Sequence, residues 1–257
     1  MKRLILLLLA LAAIPAARAD TLLVAAASDL TYCIDALGEA FRKQAPGAQV
    51  KVSVGASGNF FAQIKSGAPF DVFLSADMDY PRRLASEGAA DAASLAPYAL
   101  GRLAVWSLDE RFDPSSGMRA FADKRFARVA IANPDVAPYG RAARAALQHH
   151  GVWDDVQGRL VLGENVAQTA QFVQTGNAQL GIVSLATVLS PRLAGIGRYW
   201  LVPEEGLAPI EQGAIVTKRG QGNPLAGRFV RFLQSPEARA ILARSGFGIP
   251  AKKTGGA

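Results

Sequence analysis

Two hydrophobic rhythms alternate along the chain. An apolar run at 22–27 ends in Ser28-Asp29, and from there apolar residues recur at helical spacing, at Leu30, Ile34, Leu37 and Phe41. This predicts a buried strand running straight into a helix capped by Ser28 or Asp29. The plan repeats. A strand at 50–54 enters Gly55-Ala56-Ser57-Gly58-Asn59 and a helix with Phe60, Phe61 and Ile64 on one side, stopped by Gly67. A strand at 70–74 leads through Ser75-Ala76-Asp77 to a helix at 79–87 with Pro81 in its first turn and Gly88 beyond it.

Residues 98–108 read as one longer apolar strand with Gly101 inside it, crossing into a second lobe. There the rhythm resumes with a strand at 129–132, the turn 133–140, and a helix at 141–150 ended by Gly151. A strand at 159–162 follows, then the turn 163–166, a helix stopped by Gly176, and a buried strand at 180–183. Residues 206–212 lead into a strand at 214–217 as the return crossing, and helices at 224–234 and 236–245 close the chain before a polar, frayed tail at 252–257. Strands alternating with helices at this spacing imply parallel βαβ units, in which ligands bind beyond the carboxyl ends of the strands. The expected class is α/β, with two lobes, each a mainly parallel sheet flanked by helices, joined by two crossing strands. Lobe 1 takes 20–98 and 213–257, and lobe 2, with the hinge strands, takes 99–212.

The first residues follow another logic. Lys2 and Arg3 precede an apolar segment at 4–14, and Ala17-Arg18-Ala19 fits a small-x-small cleavage site. Residues 1–19 therefore read as a secretory signal peptide cleaved after Ala19, too short to span a bilayer. No Cys follows at the lipid-attachment position, so the mature protein is expected to be soluble and exported, in the periplasm. Without Lys2, Arg3 and Arg18 the formal charge of +7 becomes +4. The remaining basic residues are scattered in pairs, such as Arg82-Arg83, which excludes a nucleic-acid stripe and supports only mild attraction for anions. Half of the 257 residues are apolar, enough for a sizeable core. The single Cys33 forms no internal disulfide and falls near the apolar face of the first helix, as a small buried hydrophobe.

Four strand-to-helix turns are the candidate chemistry: Ser28-Asp29, Ser57-Gly58, Tyr139-Gly140 and Asn165-Val166. Each offers backbone N–H groups without helical partners at the positive end of a helix dipole, a ready site for an anion. Each alone is also an ordinary cap or turn, and periodicity by itself does not prove that the four converge.

Several stretches together resemble a known family. They are Ala25-Ala26-Ala27-Ser28-Asp29-Leu30, Gly55-Ala56-Ser57-Gly58, the segment 62–77, Tyr98-Ala99-Leu100-Gly101 through Trp106, and Ala132 through Tyr139-Gly140. In this order they closely resemble the periplasmic molybdate/tungstate-binding proteins of ABC importers, from about residue 21 to 250. The resemblance implies a type II periplasmic-binding fold closing around a tetrahedral dianion. It assigns Ser28, the Asp29 amide and Ser57 to one lobe, and Tyr139 and Val166 to the other as main-chain donors. Some relatives supply a Tyr hydroxyl where this chain has Ser184, so the Tyr139 hydroxyl and Ser184 both stand as additional candidates. No cofactor or cation ligand is implied; molybdenum is held as its oxyanion. The implied partners are molybdate or tungstate and an inner-membrane ABC permease, with the binding protein acting as a monomer.

The donor chemistry fits. Molybdate at neutral pH carries two charges and no proton, so donors alone satisfy its oxygens, and no Arg or Lys sits in the four turns. Sulfate matches that chemistry equally, leaving cavity size to separate them. Phosphate keeps a proton and needs an acceptor, for which Asp29 stands in the right neighbourhood. An enzyme is the rival class: Gly55-Ala56-Ser57-Gly58 lacks the glycine spacing of a nucleophile elbow, and the only histidines, His149 and His150, are adjacent at a helix end. A cytoplasmic ligand-sensing regulator is disfavoured by the leader.

Overall fold

A computed structural model describes residues 21–251. The leader at 1–19 and the tail at 252–257 lie outside the described residues. In chain order the first lobe opens with β1 (Thr21–Ala27), α1 (Ile34–Gln44), β2 (Gln49–Gly55), α2 (Ser57–Lys65), β3 (Val72–Ser75), α3 (Asp79–Ser86) and β4 (Ala96–Gly101). The chain then crosses into β5 (Leu103–Ser107), β6 (Val129–Ala132), α4 (Pro138–His149), α5 (Trp153–Val156), β7 (Leu160–Gly163), α6 (Val166–Gln174), β8 (Leu180–Ser184), α7 (Leu185–Val188) and β9 (Arg198–Leu201). It returns through β10 (Ile210–Val216) to α8 (Pro224–Phe232) and α9 (Pro236–Arg244).

Two five-stranded sheets result, ordered β2-β1-β3-β10-β4 and β7-β6-β8-β5-β9. Both place their first three strands in parallel and insert one antiparallel strand, β10 or β5, before the edge. The inserted strand is in each case the one that arrives from the crossing, so the lobes are topological copies. This is the two-lobed type II arrangement. Each lobe has its own core, built around Phe41, Phe229 and Leu74 in the first and Trp106, Phe121 and Ile131 in the second. Phe41 meets Phe229 edge to face at 5.0 Å, which locks α1 onto α8.

Several element readings change, among them the return strand, which begins at Ile210 rather than at 214. The apolar stretch at 98–108 is two strands, because the pairing leaves the first sheet at Gly101 and enters the second at Leu103, with Arg102 between them. The helix expected straight after Ser28-Asp29 begins only at Ile34, preceded by a 3-10 turn, Ser28–Leu30; neither side chain caps it. α4 starts at Pro138 rather than Arg141, since proline at the first helical position is pre-set for the helix and loses no hydrogen bond there. The helix stops are as the glycines predict: Gly67, Gly88, Gly151 and Gly176 all take positive φ, as does Gly47 after α1.

Candidate anion site between the lobes

Four strand ends point at one place. Ala27, Ser28 and Asp29 from β1, Gly55 to Ser57 from β2, Ala137 to Tyr139 from the turn after β6, and Asn165-Val166 from the turn after β7 line one small pocket, with Ala76 beneath. No Lys, Arg or His is among its lining residues. The lobes are in contact around it. Gly58 N–H donates to Val136 O at 2.8 Å, Asn59 Nδ2 donates to Glu164 Oε1 at 2.7 Å, and the Arg141 guanidinium pairs with the Asp77 carboxylate.

Each helix start spends its donors differently and leaves one toward the pocket. In α2 the N–H of Gly58 goes to the other lobe, and Ser57, the first helical residue, has no helical acceptor for its own. In α4 Pro138 has no N–H, which makes the Tyr139 amide the first donor. In α6 the Asn165 side chain caps the amides of Ala167 and Gln168 at 3.0 Å each, passing over Val166. In α4 and α6 the residue that precedes the first donor thus decides which amide stays free.

Side chains follow the same economy. Ser57 is buried, and its Oγ accepts the Ala76 N–H at 3.0 Å, so the hydroxyl hydrogen is left to donate. Asp29 is also buried, yet its carboxylate turns to the hinge: Oδ2 accepts from Gln212 Nε2 on β10, and Gln212 Oε1 accepts from the Tyr98 hydroxyl at 2.6 Å. Burial pushes the Asp29 carboxyl up to about 6, against the lowering effect of Gln212, Tyr139 and the amides of Asp29 and Leu30. Tyr139 Oη faces that carboxyl, but neither it nor Asp29 Oδ1 has a formed hydrogen bond. The phenol belongs to the hinge, beside Gly101, while its amide faces the pocket.

The structure therefore brings Ser28, Asp29, Ser57, Tyr139 and Val166 together and leaves Ser184 apart. The Ser184 hydroxyl caps α7 by accepting from Thr187 N at 3.2 Å and shares a 2.7 Å hydrogen bond with Thr187 Oγ1, and it does not line the pocket. The expectation that Asp29 caps its own helix gives way to the bond with Gln212. Gln212, which holds that carboxylate, gives no sign of this in the sequence because its partner is far away along the chain, and Tyr98, which holds Gln212, stands in a stretch that carries the family resemblance without its role being readable there. His149 and His150 sit at the end of α4, their rings edge to face at 5.2 Å. A roomier cleft of about 590 Å³ opens beyond the Asp77–Arg141 pair, lined by Met78, Leu103, Leu207 and Ile210 among mixed charges that include Arg82 and Arg141.

The family described as bacterial extracellular solute-binding protein matches residues 22–248. A molybdate-binding protein ModA of Azotobacter vinelandii is 37% identical over 91% of this chain and 92% of its own length. One from Rhodobacter capsulatus is 37% identical over 91% of this chain and 90% of its own. The solved structure of an Azotobacter vinelandii periplasmic molybdate-binding protein superimposes with a TM-score of 0.83 at 34% identity, covering 90% of this chain and all of that one.

Proposed function

The chain belongs to the bacterial extracellular solute-binding proteins, and from that premise we propose that it captures molybdate, and tungstate with it, between its lobes for delivery to an ABC permease. The observation that carries this reading is a pocket of donors contributed by both lobes, without a basic side chain, in which Asn165 Oδ1 and Asp29 Oδ2 are engaged elsewhere. Such a site suits an anion that has no proton to give. Neutral dipoles and helix N-termini stabilise two charges there without a counter-ion.

The Ser28 and Ser57 turns belong to one lobe and the Tyr139 and Val166 amides to the other. In the proposed cycle the open protein takes the anion on the first pair, and closure brings the second pair onto it, with bending at Arg102 and the approach to β10. The closed form is what the permease then receives. Nothing in the pocket offers a nucleophile paired with a base, so binding rather than turnover is the proposed role.

Phosphate is the reading that Asp29 kept open. Asp29 Oδ2 is taken by Gln212 and Oδ1 has no hydrogen bond, so Oδ1, beside the Tyr139 hydroxyl, is the acceptor that a protonated oxyanion would have to reach. Refolded protein dialysed against molybdate and analysed for metal tests the proposal: one molybdenum per chain is expected, with compaction in solution scattering. No retained molybdenum would overturn it, and retention without compaction would remove the closure step.

A further inference from the structure

The lobes meet backbone to backbone immediately beside the pocket. Gly58 N–H reaches Val136 O at 2.8 Å, one residue after Ser57 and three before Tyr139. Gly58 is the second residue of α2 and is not among the glycines with positive φ, so its conformation is open to any residue. What requires glycine is the approach of the other lobe. A Cβ at Gly58 would lie 2.7 Å from Val136 O, 3.0 Å from Val136 Cα and 2.7 Å from Tyr80 Oη. The first two are main-chain atoms that cannot swing aside.

We propose that the Gly58–Val136 contact is the stop that fixes the width of the closed pocket, and so makes Gly58 a specificity-determining residue for oxyanion size. The proposal rests on the oxyanion reading above. Donors on the two lobes hold an anion only within the narrow range of hydrogen-bond lengths. Because the stop is one residue from Ser57 and three from Tyr139, the lobes cannot close further around an anion with shorter bonds. Sulfate is then left with one lobe's donors out of reach, whereas molybdate spans both. Chemistry that is equal for the two anions becomes unequal through a fixed distance.

Gly58→Ala is the direct test, by calorimetry with molybdate and with sulfate. Alanine is the better helix former, so the ligand-free variant is expected to melt at or above the wild-type temperature. Its molybdate affinity is expected to fall at least tenfold, its molybdate-over-sulfate preference to narrow, and its anion-bound form to be less compact by scattering. Adding Tyr80→Phe removes the hydroxyl but not the Val136 main chain, so the loss should persist. In the wild-type chain, exchange of the Gly58 amide hydrogen should slow at least tenfold on adding molybdate, since Val136 O is its partner only when the lobes are closed. Affinity of Gly58→Ala within twofold of wild type, equal losses for both anions, recovery by Tyr80→Phe, or unchanged amide exchange would each overturn the stop while leaving the oxyanion reading intact. A wild-type chain that binds no molybdate would overturn both.

Discussion

The Ser57 hydroxyl accepts the N–H of Ala76 at 3.0 Å. That bond ties the head of α2 to the end of β3 and leaves the hydroxyl hydrogen available to donate. Ser57→Ala should weaken molybdate binding by the 1.5 to 3 kcal/mol typical of a hydrogen bond to a charged group, roughly tenfold to 150-fold. Calorimetry checks it, and an unchanged affinity would remove this hydroxyl from the site.

Asp29 makes stability depend on pH with an unusual sign. Its carboxyl is raised by burial to about 6 in the folded protein, against an ordinary value of 3.8, so between those values the folded state binds more protons than the unfolded one. Folding stability of the ligand-free protein should therefore fall as pH rises from about 4 through about 6, by up to about 3 kcal/mol from this group. Asp29→Asn should flatten that slope in denaturant titrations across the window. The same variant should keep molybdate affinity or improve it above pH 6, where the wild-type carboxylate repels a dianion. A large loss would mean that the carboxylate shapes the site.

Arg141 links the lobes but should contribute little. Its guanidinium pairs with Asp77 and lies 5.3 Å from the Tyr80 ring, yet burial still leaves the Asp77 carboxyl above its usual range, outweighing the cation. The Arg141 side chain is 41% exposed, so salt screens the pair. Arg141→Ala should cost no more than about 1 kcal/mol of anion affinity at low salt, and the difference should vanish as salt is added. A loss comparable to that of Ser57→Ala would contradict this.

Gly101 stands where the first crossing leaves its sheet. A Cβ there would lie 2.5 Å from Tyr139 Oη and 3.0 Å from Gln212 Nε2 and from Ile210 Cγ2. Gly101→Ala should destabilise the protein by about 1 to 3 kcal/mol, the range for overpacking, measurable by denaturant melting. An unaltered midpoint would show that the hinge yields more readily than its packing suggests.

The strand-turn-helix plan was legible because the strands of the parallel units are short apolar runs or, in β2, a plain alternation, and because α2, α3, α4 and α6 end at glycines that the structure finds at positive φ. The break at Arg102 was not, since residues on both sides are equally apolar and only pairing divides them. β9 was missed for a related reason: Arg198–Leu201 is an edge strand with two exposed residues and no alternation to betray it. In the site, the turns could be picked out by their Ser, Tyr and Asn residues, whereas the fate of each side chain could not. Asp29 pairing with Gln212, 183 positions away, is a property of the fold alone.

On this reading, donors from both lobes select a tetrahedral dianion of one size. Calorimetry of the refolded, ligand-free protein against molybdate, tungstate, sulfate and phosphate tests it most directly. Tight binding of molybdate and tungstate, with no heat from sulfate or phosphate at the same concentrations, is the predicted result. Sulfate or phosphate binding more tightly than molybdate would contradict it.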